Sequence, residues 1–107
     1  MAKKPKIKIT IDREAAKLAK SLQACRKKID AADEALLKAL GARFKAVTQV
    51  GILKNAHGLP LYQKARWEEV VKHRLERAAT HAVHGDFTKS LLKLIHKEAI
   101  RIQKNKK

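Results

Sequence analysis

Arg43 and Lys54 lie eleven residues apart in a stretch of chain with no proline between Pro5 and Pro60. On an α-helix that spacing puts both on nearly one face, roughly 16 Å apart along the axis. Two long cationic side chains so placed can reach toward each other and grip one small anion from its two ends. They belong to a series spaced alternately four and three residues apart: Leu22, Arg26, Ile29, Asp33, Leu36, Leu40, Arg43, Val47, Val50 and Lys54. Such a stripe faces partner helices, yet four of its ten positions are charged. A cation drawn into a seam costs desolvation energy unless an anion sits opposite it. Either the stripe encloses an anionic ligand or these side chains reach water at its edges, and spacing alone leaves both open. Arg26 lies a further ~25 Å down the helix from Arg43 and is rotated away from it. It cannot serve the same pocket on its own chain, but in an antiparallel pair of chains it would reach the partner's.

The elements that must position these residues are helices. Ala, Leu, Lys, Glu and Arg dominate the 107 residues, with only 4 Gly and 2 Pro, a helix-forming composition. No stretch alternates for long at period 2, which argues against a sheet. Residues 1–11 read as an extended basic arm carrying Pro5, with Thr10 or Asp12 as a helix cap. A first helix is predicted from about Asp12 to Asn55, weakened slightly by Gly41 and Gly51. Asn55 to Leu59 reads as a turn, and Pro60 suits the first turn of a second helix. That helix is expected to run to about Val83, with Val71, Leu75, Ala78 and Ala82 on one face. His84 and Gly85 should end it, with Asp86 capping a third helix over residues 87–103. The apolar face of this third helix is Leu91, Leu92, Ile95, Ala99 and Ile102, and Lys104–Lys107 reads as a frayed basic tail.

One domain is expected over residues 12–104. A first helix of ~43 residues is roughly 65 Å long, whereas a compact chain of this size has a radius of gyration of about 13 Å. Two helices of about 20 residues cannot cover such a rod, so a second copy should. The expected fold is all-α, three helices per chain in an intertwined homodimer.

The formal charge of +16 fits a nucleic-acid surface, an acidic membrane surface, or pockets for anionic metabolites on a basic exterior. Basic residues spread over all three helices, and aromatics that could stack on bases amount to 4%, which disfavours nucleic acid. No apolar run approaches a membrane span or a signal peptide. The single cysteine, Cys25, excludes an intramolecular disulfide and suits a reducing compartment, so a cytoplasmic location is expected. Cys25 itself reads as a buried residue of the stripe.

Cys25-Arg26-Lys27-Lys28-Ile29-Asp30, then Asp33-Glu34-Ala35-Leu36-Leu37, Arg43 and Lys54 resemble the first helix of the all-helical chorismate mutases. The resemblance continues through Pro60 and Arg66 to Ile95, Ile100 and Gln103 and covers roughly residues 20–105. It implies an intertwined dimer with two sites and no cofactor or metal, acting on a small dicarboxylate, chorismate, to give prephenate for aromatic amino acid biosynthesis. By that resemblance Arg26 enters the partner's site, Arg43 and Arg66 bind substrate carboxylates, and Lys54 and Gln103 donate to the ether oxygen whose bond breaks. The chemistry suits these residue types. A one-step pericyclic rearrangement needs the reactive conformer held and fixed positive charge beside the oxygen that gains electron density. Arginine forks match carboxylates.

Two positions depart from the pattern. Trp67 stands where the mutases usually carry a carboxylate that binds the substrate hydroxyl, and Gln63 stands where an acidic residue is common. Glu68, one residue on and ~100° around the helix, is no simple substitute. Trp67 also aligns with Val71, Leu75 and Ala78, as an ordinary core residue would. The related isochorismate-pyruvate lyases share the fold and cationic set and lack that carboxylate too, which leaves salicylate formation as an alternative activity. A basic helical nucleic-acid-binding protein is the alternative from another class. His81 and His84 have a spacing that can hold a metal, but no carboxylate or cysteine joins them. The five histidines are expected to be solvated or at the core's edge.

Overall fold

The computed structural model describes the backbone of residues 3–105 and the side chains of residues 12–105. All regular structure among them is helical: α1 (Lys3–Ala56), α2 (Lys64–Thr80) and α3 (Gly85–Lys104). No described helix is long and apolar enough to cross a membrane. The chain divides into two compact units, Met1–Leu40 and Gly41–Lys107.

The first unit is α1 alone. The helix begins at Lys3, not near Asp12, so the arm is not extended over residues 3–11. Pro5 is compatible with this because it falls in the first turn, where a backbone N–H has no intrahelical acceptor to lose. From Asp12 to Ala39 every side chain is exposed. The stripe residues Leu22, Ile29 and Leu36 are 42%, 57% and 51% exposed. Cys25, expected to be buried, is exposed as well, because nothing in its own unit packs on that face.

The second unit combines the last turns of α1 with α2 and α3. Its core holds Val70, Leu92 and Ala99, with Thr88 and Gln103 buried beside them. The predicted apolar face of α3 points inward, Leu92 and Ala99 buried and Leu91, Ile95 and Ile102 half-buried. On α2 the predicted Val71, Leu75 and Ala78 are half-buried and Val70 is the buried residue. Gly51 is buried against α3: a Cβ there would lie 3.0 Å from Gln103 Cγ and 3.1 Å from Gln103 Cα. Its glycine lets the two backbones approach.

The connections differ from expectation in instructive ways. The first turn forms as predicted. Gly58 takes a left-handed φ of 64°, and Leu59 N–H bonds back to the Lys54 carbonyl at 2.8 Å, a Schellman-type end. Pro60, however, lies outside α2, which starts at Lys64 after an extended Gln63. Leu59 donates to the Lys54 backbone and the Leu61 carbonyl accepts from the Lys54 side chain. The segment between them is held as a strap and cannot coil.

Helix α2 also ends early, at Thr80. The left-handed residue is Ala82, φ 58°, not a glycine. Val83 N–H bonds to the Ala78 carbonyl at 2.9 Å and Ala82 N–H to the Ala79 carbonyl at 3.2 Å. Ala82 therefore bears a steric cost that glycine would not. His84 is the N-cap of α3, so Gly85 opens the helix, and Asp86 sits in its first turn and not at its cap. There its charge still favours the positive helix end. His81 and His84 flank the connection and share no helix.

Candidate active site

Four elements of the second unit surround one cavity of about 180 Å³. The end of α1 supplies Arg43, Val47, Val50 and Lys54, spaced four, three and four apart on one face. The strap supplies Leu61 and Gln63, α2 supplies Arg66, Trp67 and Val70, and α3 supplies His96, Ala99, Ile100 and Gln103. Six of the seven residues singled out from sequence, Lys54, Gln103, Arg43, Arg66, Gln63 and Trp67, thus line one space. The seventh, Arg26, is exposed in the first unit.

Lys54 is the centre of the arrangement. Its Nζ donates to the Leu61 carbonyl at 2.7 Å and to Gln103 Oε1 at 2.8 Å. An ammonium carries three donors, so one remains. Burial lowers its pKa from the ordinary lysine value, because the charged form loses hydration there. Gln103 is only 5% exposed. Since an ammonium can only donate, Gln103 must present its carbonyl to Lys54, which fixes the amide and leaves its NH2 group free of protein partners among the described residues.

Arg43 carries the clearest unmet demand. Its Nη1 is buried without a hydrogen-bond partner among the described residues. Burial, and then the charges of Arg74 and Arg66, lower its pKa from the ordinary arginine value, although a guanidinium remains charged in proteins. Arg66 is tied to Glu69 at 2.7 Å, and both side chains are exposed. An exposed pair of this kind is weak and can yield to a ligand carboxylate. No Asp or Glu lines the cavity. Several donors of Arg43, Lys54 and Gln103 that have no partner among the described residues face a space that suits an anion rich in acceptor oxygens.

His96 is a lining residue that the sequence does not single out; with the other histidines it is expected in solvent or at the core's edge. Its ring lies 4.3 Å from that of Trp67 at 31° and 5.7 Å from that of Tyr62 at 67°. Burial, with Arg43 and Lys54 nearby, lowers its pKa from the usual histidine value. Its spacing with Ala99, Ile100 and Gln103 (three, four and seven residues) marks one helix face, a signal that could have identified it. Nothing in the sequence marks the Leu61 carbonyl.

Two larger depressions, about 340 and 540 Å³, lie elsewhere on this unit. The first is lined by residues such as Phe44, Thr48 and Ile102 and the second by one face of α3. Among the described residues neither contains an unpartnered buried donor. The unpartnered donor of Arg43 is in the smaller cavity.

The profile of the chorismate mutase type II family matches residues 25–104. A T-protein of Enterobacter agglomerans is 32% identical over 85 residues, 79% of this chain and 23% of that protein. A protein of Streptomyces pristinaespiralis named 4-amino-4-deoxychorismate mutase is 33% identical over 82 residues, 77% of this chain and 64% of its own length. The T-protein of Haemophilus influenzae is 29% identical over 79 residues, covering 74% and 21%. The chain thus spans under a quarter of the two T-proteins and somewhat less than two thirds of the third relative. No solved structure gives a significant match.

Proposed function

The chain belongs to the chorismate mutase type II family, and we propose that it rearranges chorismate to prephenate as a cytoplasmic isomerase of aromatic amino acid biosynthesis. The observation that carries this reading is the buried, unpartnered Nη1 of Arg43 in a cavity shared with Lys54 and Gln103. In the reaction the ether C–O bond breaks as a C–C bond forms in one step, with no proton transfer. Arg43 and Arg66 take the two carboxylates and hold the reactive conformer. The third donor of Lys54 and the free amide N–H of Gln103 meet the ether oxygen, where negative charge grows in the transition state. Gln63 and Trp67 complete the walls. Val47 and Val70 limit water on their side of the cavity and strengthen these interactions.

The substrate we assign carries a ring hydroxyl and not the amino group implied by the name of the Streptomyces relative. An ammonium would enter a cavity that holds Arg43, Lys54 and Arg66 and, among the described residues, no carboxylate, and like charges would repel it.

The working form in this reading is a homodimer with shared sites. The exposed Leu22, Ile29, Leu36 and Leu37 of the first unit are what a second copy would cover, burying apolar area. Arg26, on the same helix and exposed, then becomes the partner's contribution to a carboxylate.

The test is turnover. Purified protein is mixed with chorismate and, separately, isochorismate, and products are separated by chromatography. Prephenate from chorismate is expected, and Lys54→Ala should lower kcat by about 10²- to 10³-fold, as loss of one donor to a developing oxyanion does. Salicylate and pyruvate from isochorismate alone would replace the mutase with the lyase. No turnover of either would remove the catalytic reading.

A further inference from the structure

We propose that His96 is the hydrogen-bond acceptor for the ring hydroxyl of the substrate, and so a specificity-determining residue of this site. The inference rests on the chorismate reading and deepens it. Chorismate is a dianion whose polar groups accept hydrogen bonds, with one exception: the ring hydroxyl can also donate. Arg43, Arg66, Lys54 and Gln103 offer donors to the acceptors. The hydroxyl needs an acceptor, and no carboxylate among the described residues lines the cavity.

Gln103 Oε1 and the Leu61 backbone carbonyl each already accept from the Lys54 ammonium, which leaves each a single lone pair beside a cation that draws on its electron density. The lining side-chain acceptors with no bond among the described residues are those of Gln63 and His96. Gln63 is exposed at the start of α2, where water competes for its amide. His96 is half-buried, and the rings of Trp67 and Tyr62 fix the plane of its imidazole. Neither ring nitrogen has a hydrogen-bond partner among the described residues, since its neighbours are those two rings and the charges of Arg43 and Lys54.

The charges facing His96 are all positive: Arg43 and Lys54 from α1 and Arg66 from α2. Burial, and then the charges of Arg43 and Lys54, lower its pKa from the usual histidine value, which favours the neutral imidazole at neutral pH. A neutral imidazole has one nitrogen that accepts. Trp67 then has a task different from the carboxylate usual at its position: its indole stacks on the residue that takes over the hydroxyl.

The experiment compares chorismate with the analogue in which hydrogen replaces the ring hydroxyl, using wild type, His96→Asn and His96→Leu. Wild type should prefer chorismate by about ten-fold in kcat/KM, the worth of one buried hydrogen bond. His96→Leu should abolish the preference, and His96→Asn, which keeps an acceptor, should retain most of it. A merely structural role for His96 would lower both substrates equally. An unchanged preference in His96→Leu, or its loss in both variants, overturns the assignment while leaving the mutase reading intact. If His96→Leu does not fold, retention of the preference in His96→Asn with loss in His96→Gly supports the proposal, and equal preference in both overturns it. Failure of wild type to turn over either compound overturns the mutase reading and this inference with it.

Discussion

Met1–Leu40 and Gly41–Lys107 draw on the same helix-forming residues and treat them in opposite ways. In the first unit leucine and isoleucine stand in solvent: Leu18 is 60% and Leu37 63% exposed. In the second, cations and amides are drawn inward, and Gln103 and Arg43 Nη1 are buried. Each arrangement is unfavourable when taken alone. Exposed apolar area is stabilised by burial, and a buried donor without an acceptor costs about 1–3 kcal/mol. The contrast teaches that the same composition leaves two different demands unmet, exposed apolar area in one unit and an unpartnered buried donor in the other.

The largest expected effect tests whether these two deficits are linked through a second copy. Arg26→Ala and Arg43→Ala should each lose activity by at least about 10²-fold while sedimenting as folded dimers. Refolded together in equal amounts, they form mixed dimers in which one site carries both changes and the other neither. Activity should then return to about a quarter of wild type, as random pairing of a two-fold dimer dictates. No recovery would falsify the shared site and leave Arg26 a solvated residue.

A smaller effect sharpens the packing of the second unit. Gly51→Ala places a methyl group 3.1 Å from the Gln103 backbone, which cannot swing away as a side-chain end could. Overpacking of this kind costs typically about 1–3 kcal/mol. Denaturant unfolding should show that loss, and kcat should fall further than for an exposed control such as Gly41→Ala, because Gln103 moves. Equal kcat in the two variants would show that Gln103 position does not matter.

The smallest effect should leave the site untouched. Ala82→Gly relieves a left-handed alanine and should stabilise by about 0.5–1 kcal/mol, the steric relief less the entropy that glycine adds to the unfolded chain. The melting temperature should rise by a few degrees with kcat unchanged. A fall in melting temperature would mean that the left-handed turn at the end of α2 carries no strain.

Much is legible in the sequence because helical geometry converts spacing into direction. The four-three rhythm of Arg43, Val47, Val50 and Lys54 is enough to put them on one face, and Asn55 with Gly58 marks the turn after them. The apolar face of α3 follows from the same rule. Trp67 shows the limit. Its alignment with Val71, Leu75 and Ala78 suggests core, and its half-buried ring instead stacks on His96 in the cavity wall.

What only tertiary structure decides are the features that depend on partners distant along the chain. Pro60 has the local chemistry of a helix start, but the Lys54 side chain, seven residues before Leu61, holds the strap out of helix. Gly51 reads locally as a weak point in α1, and its role emerges only when Gln103 arrives against it. Gln103 by itself is a glutamine near a frayed end until Lys54, forty-nine residues away, takes its carbonyl. Local sequence determines which way a side chain leaves its own helix, because backbone geometry repeats. It does not determine what that side chain meets, because that is set by the packing of elements whose separation in sequence carries no record of their separation in space.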